Sequence, residues 1–372
     1  MKTRKTSLTF HGWFVILFCL VTYVYPENRY AENFSLETFP GYKLLTVSNP
    51  WRGSGDITYR YALVPKAGSL PEMPKDIRII RTPVERIIAT ATVYLGPLHT
   101  LGMYDRLVGL AYLDYTSDPE IHQRVKEAKL TPIQGGAALD IESILQLRPD
   151  LILTSITGEG IYDDHPKLER AHLPAVLTAG YMEAHPLARS EWIKVIAAFV
   201  DKDEEAERFF NRIADKYEAL VALTRNVKHK PKVFSNAPYA GVWHIPGGTS
   251  YNARAFADAG GKYLWADNPS SGGVPLDFEV ILHQAADADF WLNPGAYRSR
   301  AELLALDSRF TGFRAFREGH VFNNTLRMNE RGGNDIWERG INHPEEVLAD
   351  LIKIFHPELL PEHEFVYYER LN

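Results

Sequence analysis

Leu139-Asp140-Ile141-Glu142-Ser143-Ile144-Leu145 leads into Asp150-Leu151-Ile152-Leu153, and the wording returns in the second half of the chain. There Leu276-Asp277-Phe278-Glu279-Val280-Ile281-Leu282 leads into Asp289-Phe290-Trp291-Leu292. Each copy reads as a helix opened by an aspartate, with a glutamate in its first turn, followed by a short buried strand. Helix-start chemistry accounts for either copy alone, since Asp140 and Asp277 suit the N-cap and a nearby glutamate favours the positive end of the helix dipole. It does not account for the recurrence. A repeat this far apart points to two halves on one plan. Glu142 and Glu279 then become two exposed carboxylates, one per half, able to meet a symmetric partner.

Working outward, short apolar strands alternate with helical patterns on both sides. Arg86–Thr90, Leu107–Ala111, Asp150–Ile156 and Ala175–Ala179 read as strands, with helices over Tyr94–Leu101, Pro119–Ala128 and Ile141–Leu147 between them. This alternation predicts an α/β lobe with a mainly parallel sheet flanked by helices. One long helical stretch follows from Pro186 to about Asn226, in which Ala206, Phe210, Ile213, Tyr217 and Leu220 recur every three or four residues. Asp201-Lys202-Asp203 is the place for a turn or register break within it. After Pro231 the alternation resumes, with strands near Lys232–Ser235, Asp289–Leu292 and His320–Asn323 and helices after Ser250, Asp277 and Pro344. The expected division is 1–25, a signal peptide or lipoprotein anchor; 26–84, a small β-rich extension; 85–182, the N-terminal lobe; 183–228, the interlobe helix; and 229–372, the C-terminal lobe.

The start of the chain differs from the rest. Lys2, Arg4 and Lys5 precede an apolar run from Gly12 to Tyr25 that is short for a membrane span, and the first acidic residue is Glu27. Export is expected. Acylation at Cys19, the sole cysteine, and cleavage of the segment remain two readings: Leu17 and Phe18 are bulky for a lipobox, and no A-x-A-like site stands out. With 372 residues, 45% hydrophobic, and a formal charge of −6, the chain can bury a large core and carries no basic stripe for nucleic acid.

The pattern resembles the class III ABC-importer binding proteins, the group that binds vitamin B12, ferric siderophores or haem. The resemblance runs from about Arg86 to Pro357. It is carried by Arg86-Ile87-Ile88-Ala89 leading to Tyr94-Leu95, by Leu101-Gly102-Met103-Tyr104-Asp105-Arg106-Leu107-Val108-Gly109, and by Ile141-Glu142-Ser143-Ile144-Leu145 before Arg148-Pro149-Asp150-Leu151-Ile152. Ala259-Gly260-Gly261 and Glu279-Val280-Ile281-Leu282 continue it. It implies two lobes bridged by a helix, a ligand in the cleft between them, and one glutamate per lobe meeting arginines of an ABC permease dimer that works with an ATPase. Those glutamates map onto Glu142 and Glu279, and directional Arg–carboxylate pairs suit the task. Residues before Arg86 lie outside the pattern.

A clamp of this kind meets its ligand at loops on the strand ends. In the C-terminal half the richest is Tyr239-Ala240-Gly241-Val242-Trp243-His244-Ile245-Pro246-Gly247-Gly248-Thr249-Ser250-Tyr251, whose candidates are Tyr239, Trp243, His244 and Tyr251. Tyr94 is the candidate in the N-terminal half. The polar stretch Arg327 to Trp337 adds Arg327, Asn334 and Trp337, with Arg331 as a second arginine for ligand carboxylates; Arg298 and Arg300 read as surface residues. The structural alternative throughout is turn and core packing. Thirteen histidines, His99, His172, His185 and His244 among them, form no metal-binding spacing, though His244 with a tyrosine could ligate haem iron. No catalytic elbow or phosphate loop occurs, and Gly247-Gly248-Thr249-Ser250 lacks the lysine of one. The expected function is capture of an iron complex or corrinoid outside the cytoplasm, with no cofactor or resident metal of the protein's own. The rivals are a bare transition-metal binder on the same architecture and a surface enzyme acting on a metal complex.

Overall fold

The computed structural model describes residues 28–70, 72–158 and 160–372. The signal-like segment 1–25, with Cys19, lies outside the described residues. Among those described, no helix is long and apolar enough to cross a membrane.

The chain first builds a four-stranded sheet from β1 (Phe34–Phe39), β2 (Tyr42–Ser48), β3 (Thr58–Pro65) and β4 (Ile77–Thr82), in the order β1-β2-β3-β4. It continues through β5 (Ile87–Ala89), α1 (Leu95–Thr100), β6 (Leu107–Ala111), α2 (Pro119–Lys126), β7 (Thr131–Ile133), α3 (Ile141–Gln146), β8 (Leu151–Thr154), α4 (His165–Arg170) and β9 (Ala175–Leu177). These five strands form a wholly parallel sheet ordered β7-β6-β5-β8-β9. Every residue of β8 is buried, as a strand covered on both faces requires. Ile87 and Ala89 face one core and Ile88 the other.

The connecting stretch is three helices, α5 (Pro186–Glu191), α6 (Ile193–Val200) and α7 (Asp203–Thr224), which corrects the expectation of one long helix. The break falls where the sequence offered it: Asp201 adopts φ 58° at the end of α6. Only α7 is long, and it buries Ala206, Phe210, Ile213 and Tyr217 on one stripe as the periodicity predicts.

The second lobe contains β10 (Lys232–Ser235), β11 (Pro238–Tyr239), β12 (Val242–Pro246), α8 (Tyr251–Asp258), β13 (Lys262–Tyr263), β14 (Gly273–Leu276), α9 (Phe278–Ala285), β15 (Phe290–Leu292), α10 (Arg300–Leu306), α11 (Arg314–Arg317), β16 (Val321–Asn323), α12 (Arg339–Asn342), α13 (Pro344–Phe355) and β17 (Glu369–Arg370). Its main sheet is ordered β13-β10-β15-β16-β17, parallel except for β17, and β11-β12-β14 form a small antiparallel sheet beside it. Phe234, Trp243, Phe278, Trp291, Phe310 and Phe313 make an aromatic core there.

The repeated segments occupy the same topological place. The strand after α3, β8, lies against the first strand of its lobe, and so does β15 after α9. The duplication read from sequence is therefore a duplication of fold.

The extension sheet is docked rather than appended. The Leu177 amide donates to the Tyr61 hydroxyl at 2.9 Å, Lys43 pairs with Asp203 at 2.6 Å, and the Val84 amide bonds to the Phe199 carbonyl. Ahead of β1, the buried Glu191 carboxylate accepts the amides of Arg29, Tyr30 and Ala31, while Glu183 accepts those of Glu32 and Asn33.

Candidate functional site

In a parallel sheet, side chains that follow the carboxyl ends of the strands converge on one edge. Here both lobes turn that edge toward a common cleft. On the C-terminal wall, Asn236, Asn293 and Asn324 each follow a strand directly and line a cavity of about 410 Å³ with Tyr239, His244, Asn334 and Trp337. That is a small-ligand volume. Tyr239 is 82% exposed at the β11–β12 turn, and Trp337 is also exposed. Strand alternation decides the rest of β12: His244 faces out, while Trp243 points in.

Trp243 is accordingly corrected from ligand candidate to core residue. It is 1% exposed, packs on Trp291 and Phe313, and donates its indole N–H to the Ser235 carbonyl at 3.0 Å. Tyr94 borders the cleft floor but is buried, its hydroxyl shared with Thr178 at 2.9 Å, so it presents no free phenol. Arg327 pairs with Asp335 at 3.0 Å and lines a separate polar cavity with Glu338 and Arg339. Arg331 pairs with Asp114 across the lobes. Neither arginine is the open cation the sequence reading wanted. Asn334 lines the cavity, yet its amide is committed to the Asn324 carbonyl. Arg298 and Arg300 bind backbone carbonyls of Met328 and Phe316.

The cation on the cleft floor is one the sequence reading missed, Arg189 of α5. It borders both the hollow beside Tyr94 and Tyr181 and the hollow beside Tyr251, Asn293 and Trp337. Its guanidinium lies over the Tyr251 ring at 4.1 Å, which gives Tyr251 its role. Arg189 Nε and Asn293 Oδ1 are both sealed from solvent with no hydrogen-bond partner among the described residues.

The N-terminal wall carries Tyr112 and Tyr115 after β6, Tyr162 after β8 and Tyr181 after β9, all exposed. The sequence signal for them was the one used for Tyr94, a tyrosine just past a strand. Of these, Tyr181 lines a hollow of the cleft, where it offers a flat face while its hydroxyl is donated to the Ile156 carbonyl at 2.6 Å.

The lobes meet at one side of this cleft. The Asn329 amide donates to the Thr116 carbonyl at 2.8 Å, and the Glu338 carboxylate accepts from the Ser117 amide and hydroxyl, both at 3.1 Å, and from the Thr116 hydroxyl. Gly333 admits this approach, since a Cβ there would fall 2.3 Å from the Tyr115 carbonyl oxygen. Burial pushes the Glu338 carboxyl up to about 7 against the pull of those donors.

Glu142 and Glu279 are both exposed on the first turns of α3 and α9. Asp140 caps its helix through the amides of Glu142 and Ser143, whereas Asp277 makes no side-chain cap bond. Glu279 holds Arg309 at 3.0 Å. Among the described residues one His/carboxylate group could gather a metal ion, His343 with Glu345 and Glu346. His343 lines the polar cavity with Glu338 and Arg339 rather than the one that holds His244, and Arg339 occupies Glu346 with a bidentate pair. Of the four scattered histidines, His244 lines the cleft.

Comparison with known proteins bears on this geometry. Residues 87–325 match the periplasmic binding protein family. An uncharacterized lipoprotein of Methanocaldococcus jannaschii is 24% identical over 356 residues, covering 89% of this chain and 82% of its own. A periplasmic haem-binding protein from Pseudomonas aeruginosa superposes with TM-score 0.57 at 18% identity, covering 78% of this chain and 98% of that one. A periplasmic vitamin B12-binding protein of Vibrio cholerae gives TM-score 0.52 at 15% identity, covering 73% and 96%.

Proposed function

Because this chain belongs to the periplasmic binding protein family, we propose that it captures an iron complex (a siderophore or haem) or a corrinoid in its interlobe cleft and delivers it to an ABC permease dimer and its ATPase. The observation that carries the delivery half is the pair Glu142 and Glu279: exposed carboxylates on helices that precede equivalent strands in two lobes of one plan. A permease arginine would have to displace Arg309 from Glu279, and an exposed ion pair of that kind is worth only about 0–1 kcal/mol.

The ligand half rests on the cleft. Tyrosines and a tryptophan on both walls favour a large, flat or ring-bearing ligand, and Arg189 favours one with peripheral negative charge. Haem binding and B12 binding by proteins of similar fold support the same range. An intact complex is favoured over a bare ion, because the cavity presents aromatic and amide groups rather than a cage of charged donors. His244 and Tyr239 share a wall, so a haem iron there would find an imidazole and a phenol within one cleft. The protein works outside the cytoplasm, held by its own anchor or by the permease, and the lipoprotein name of the Methanocaldococcus relative supports the anchor.

The test has two arms. Thermal shift with haem, cobalamin and ferric siderophores identifies the ligand, since tight binding to the folded state raises its apparent stability. Glu142→Lys together with Glu279→Lys should then abolish uptake while ligand affinity stays at the wild-type value. Normal uptake by the double variant would remove the docking role.

A further inference from the structure

The extension has no part in the family pattern, yet one of its loops touches both lobes and lines a hollow with Met182 and Glu183, next in sequence to Tyr181. Trp51 and Arg52 lie in the turn between β2 and β3. The Trp51 ring comes within 3.5 Å of where a side chain on Gly158 would begin, in the loop after β8. That loop is held in place by the buried Asp163, which accepts from the Thr157 amide and hydroxyl and from the Gly158 amide. The Arg52 guanidinium presses on the other lobe so closely that a Cβ on Gly272 would fall 1.5 Å from its nitrogen. A glycine at 272, just before β14, is what lets the arginine in. The Arg52 charge is felt at Tyr181, whose hydroxyl is donated to the Ile156 carbonyl at 2.6 Å and which borders the same hollow as Arg189.

Arg52 is exposed and forms no ion pair among the described residues. Arg327 and Arg331 are paired with Asp335 and Asp114, whereas Arg52 and Arg189 have no ion pair among the described residues. The geometry points to the β2–β3 loop as a third wall of the cleft, with Arg52 as a ligand-contacting residue that selects complexes bearing peripheral carboxylate or catecholate charge. This inference rests on the binding function proposed above and adds a specificity element to it. A guanidinium matches such groups in a bidentate way that an amide or hydroxyl cannot.

Five probes test it on the exported form of the full chain by tryptophan-fluorescence titration. Haemin, ferric citrate and a ferric tris-catecholate carry net negative charge; a ferric trihydroxamate and cyanocobalamin, whose phosphodiester is balanced by its cobalt centre, are neutral overall. Arg52→Ala should weaken each charged probe that the wild type binds by roughly ten-fold or more, the size expected for losing a charge-assisted hydrogen bond. Uncharged probes should bind within about two-fold of wild type, and Arg52→Lys should recover part of the loss. Gly272→Ala, which keeps the arginine but evicts it, should reproduce the Ala phenotype with an unchanged melting temperature. Charged probes bound equally well by wild type, Arg52→Ala and Gly272→Ala would overturn the wall while leaving the binding function standing. Equal losses for charged and uncharged probes, or wild-type binding of uncharged probes alone, would overturn the selectivity. A wild type that binds none of the five would sink the proposed function, and this inference with it.

Discussion

His165, at the start of α4, is fully buried with neither ring nitrogen hydrogen-bonded among the described residues. Its ring meets Tyr59 of the extension edge-on at 5.2 Å, so it serves as an apolar wedge between sheet and lobe. Burial, aided by the Arg78 charge, presses its pKa down to about 4. A base with a depressed folded pKa contributes stability that is present above its ordinary value of about 6.5 and lost as pH falls toward 4. His165→Phe should therefore raise stability at pH 7 by about 1 kcal/mol, through removal of two unsatisfied polar atoms. It should also lose less stability than wild type between pH 7 and pH 5; urea unfolding at both pH values measures this, and parallel losses would refute the wedge. At this scale the sequence was legible where a periodicity ran through the residue. Alternation along β12 would have sorted Trp243 inward and His244 outward had the strand been recognised. Arg189 stayed hidden because an arginine on a helix reads as solvated, and only packing against Tyr251 distinguishes it.

At the scale of elements, the long strands and α7 were legible because burial on one stripe or both faces imposes a pattern. The single-helix reading of 186–226 failed for a local reason. Apolar spacing continues across Asp201, and its left-handed backbone together with the non-helical Lys202 separates α6 from α7. The strands β7, β11, β13 and β14 are two to four residues long and exist by pairing, as Trp243 does with Leu276, so no local pattern announces them. Helix α5 has a second task that its sequence conceals. Glu191 is fully buried, gathers three successive backbone amides of residues 29–31, and pairs with the buried Lys194 at 3.0 Å. Glu191→Ala would leave three buried or half-buried amides without their acceptor, while Lys194 keeps its second partner, Glu207 at 2.8 Å; an unsatisfied buried donor costs about 1–3 kcal/mol. The expected readouts are a lower urea midpoint and new proteolytic cleavage ahead of β1. Resistance to protease equal to wild type would mean that the segment is held by other contacts.

At the scale of the molecule, the duplicated helix–strand segment predicted the two-lobe plan, but nothing in the sequence predicted how the lobes touch. Thr116 and Glu338 are 222 residues apart and meet only because the loop before α12 folds back over the cleft. That contact makes the lobe junction sensitive to pH. Glu338 is 3% exposed and its carboxyl titrates near 7, above the usual value of 4.5, because burial outweighs the donors from Thr116 and Ser117. An acid with a raised folded pKa contributes stability that is fully present below about 4.5 and lost as pH rises through about 7. Glu338→Gln removes that proton linkage while keeping a side chain of similar shape. The buried histidines titrate in both proteins and cancel in the difference. The melting temperature of wild type relative to Glu338→Gln should therefore fall steadily from pH 5 to pH 8, by an amount on the order of 2 kcal/mol in stability. A difference that stays flat across this range would show the carboxylate ionised and solvated throughout, and the junction between the lobes would then be looser than this geometry requires.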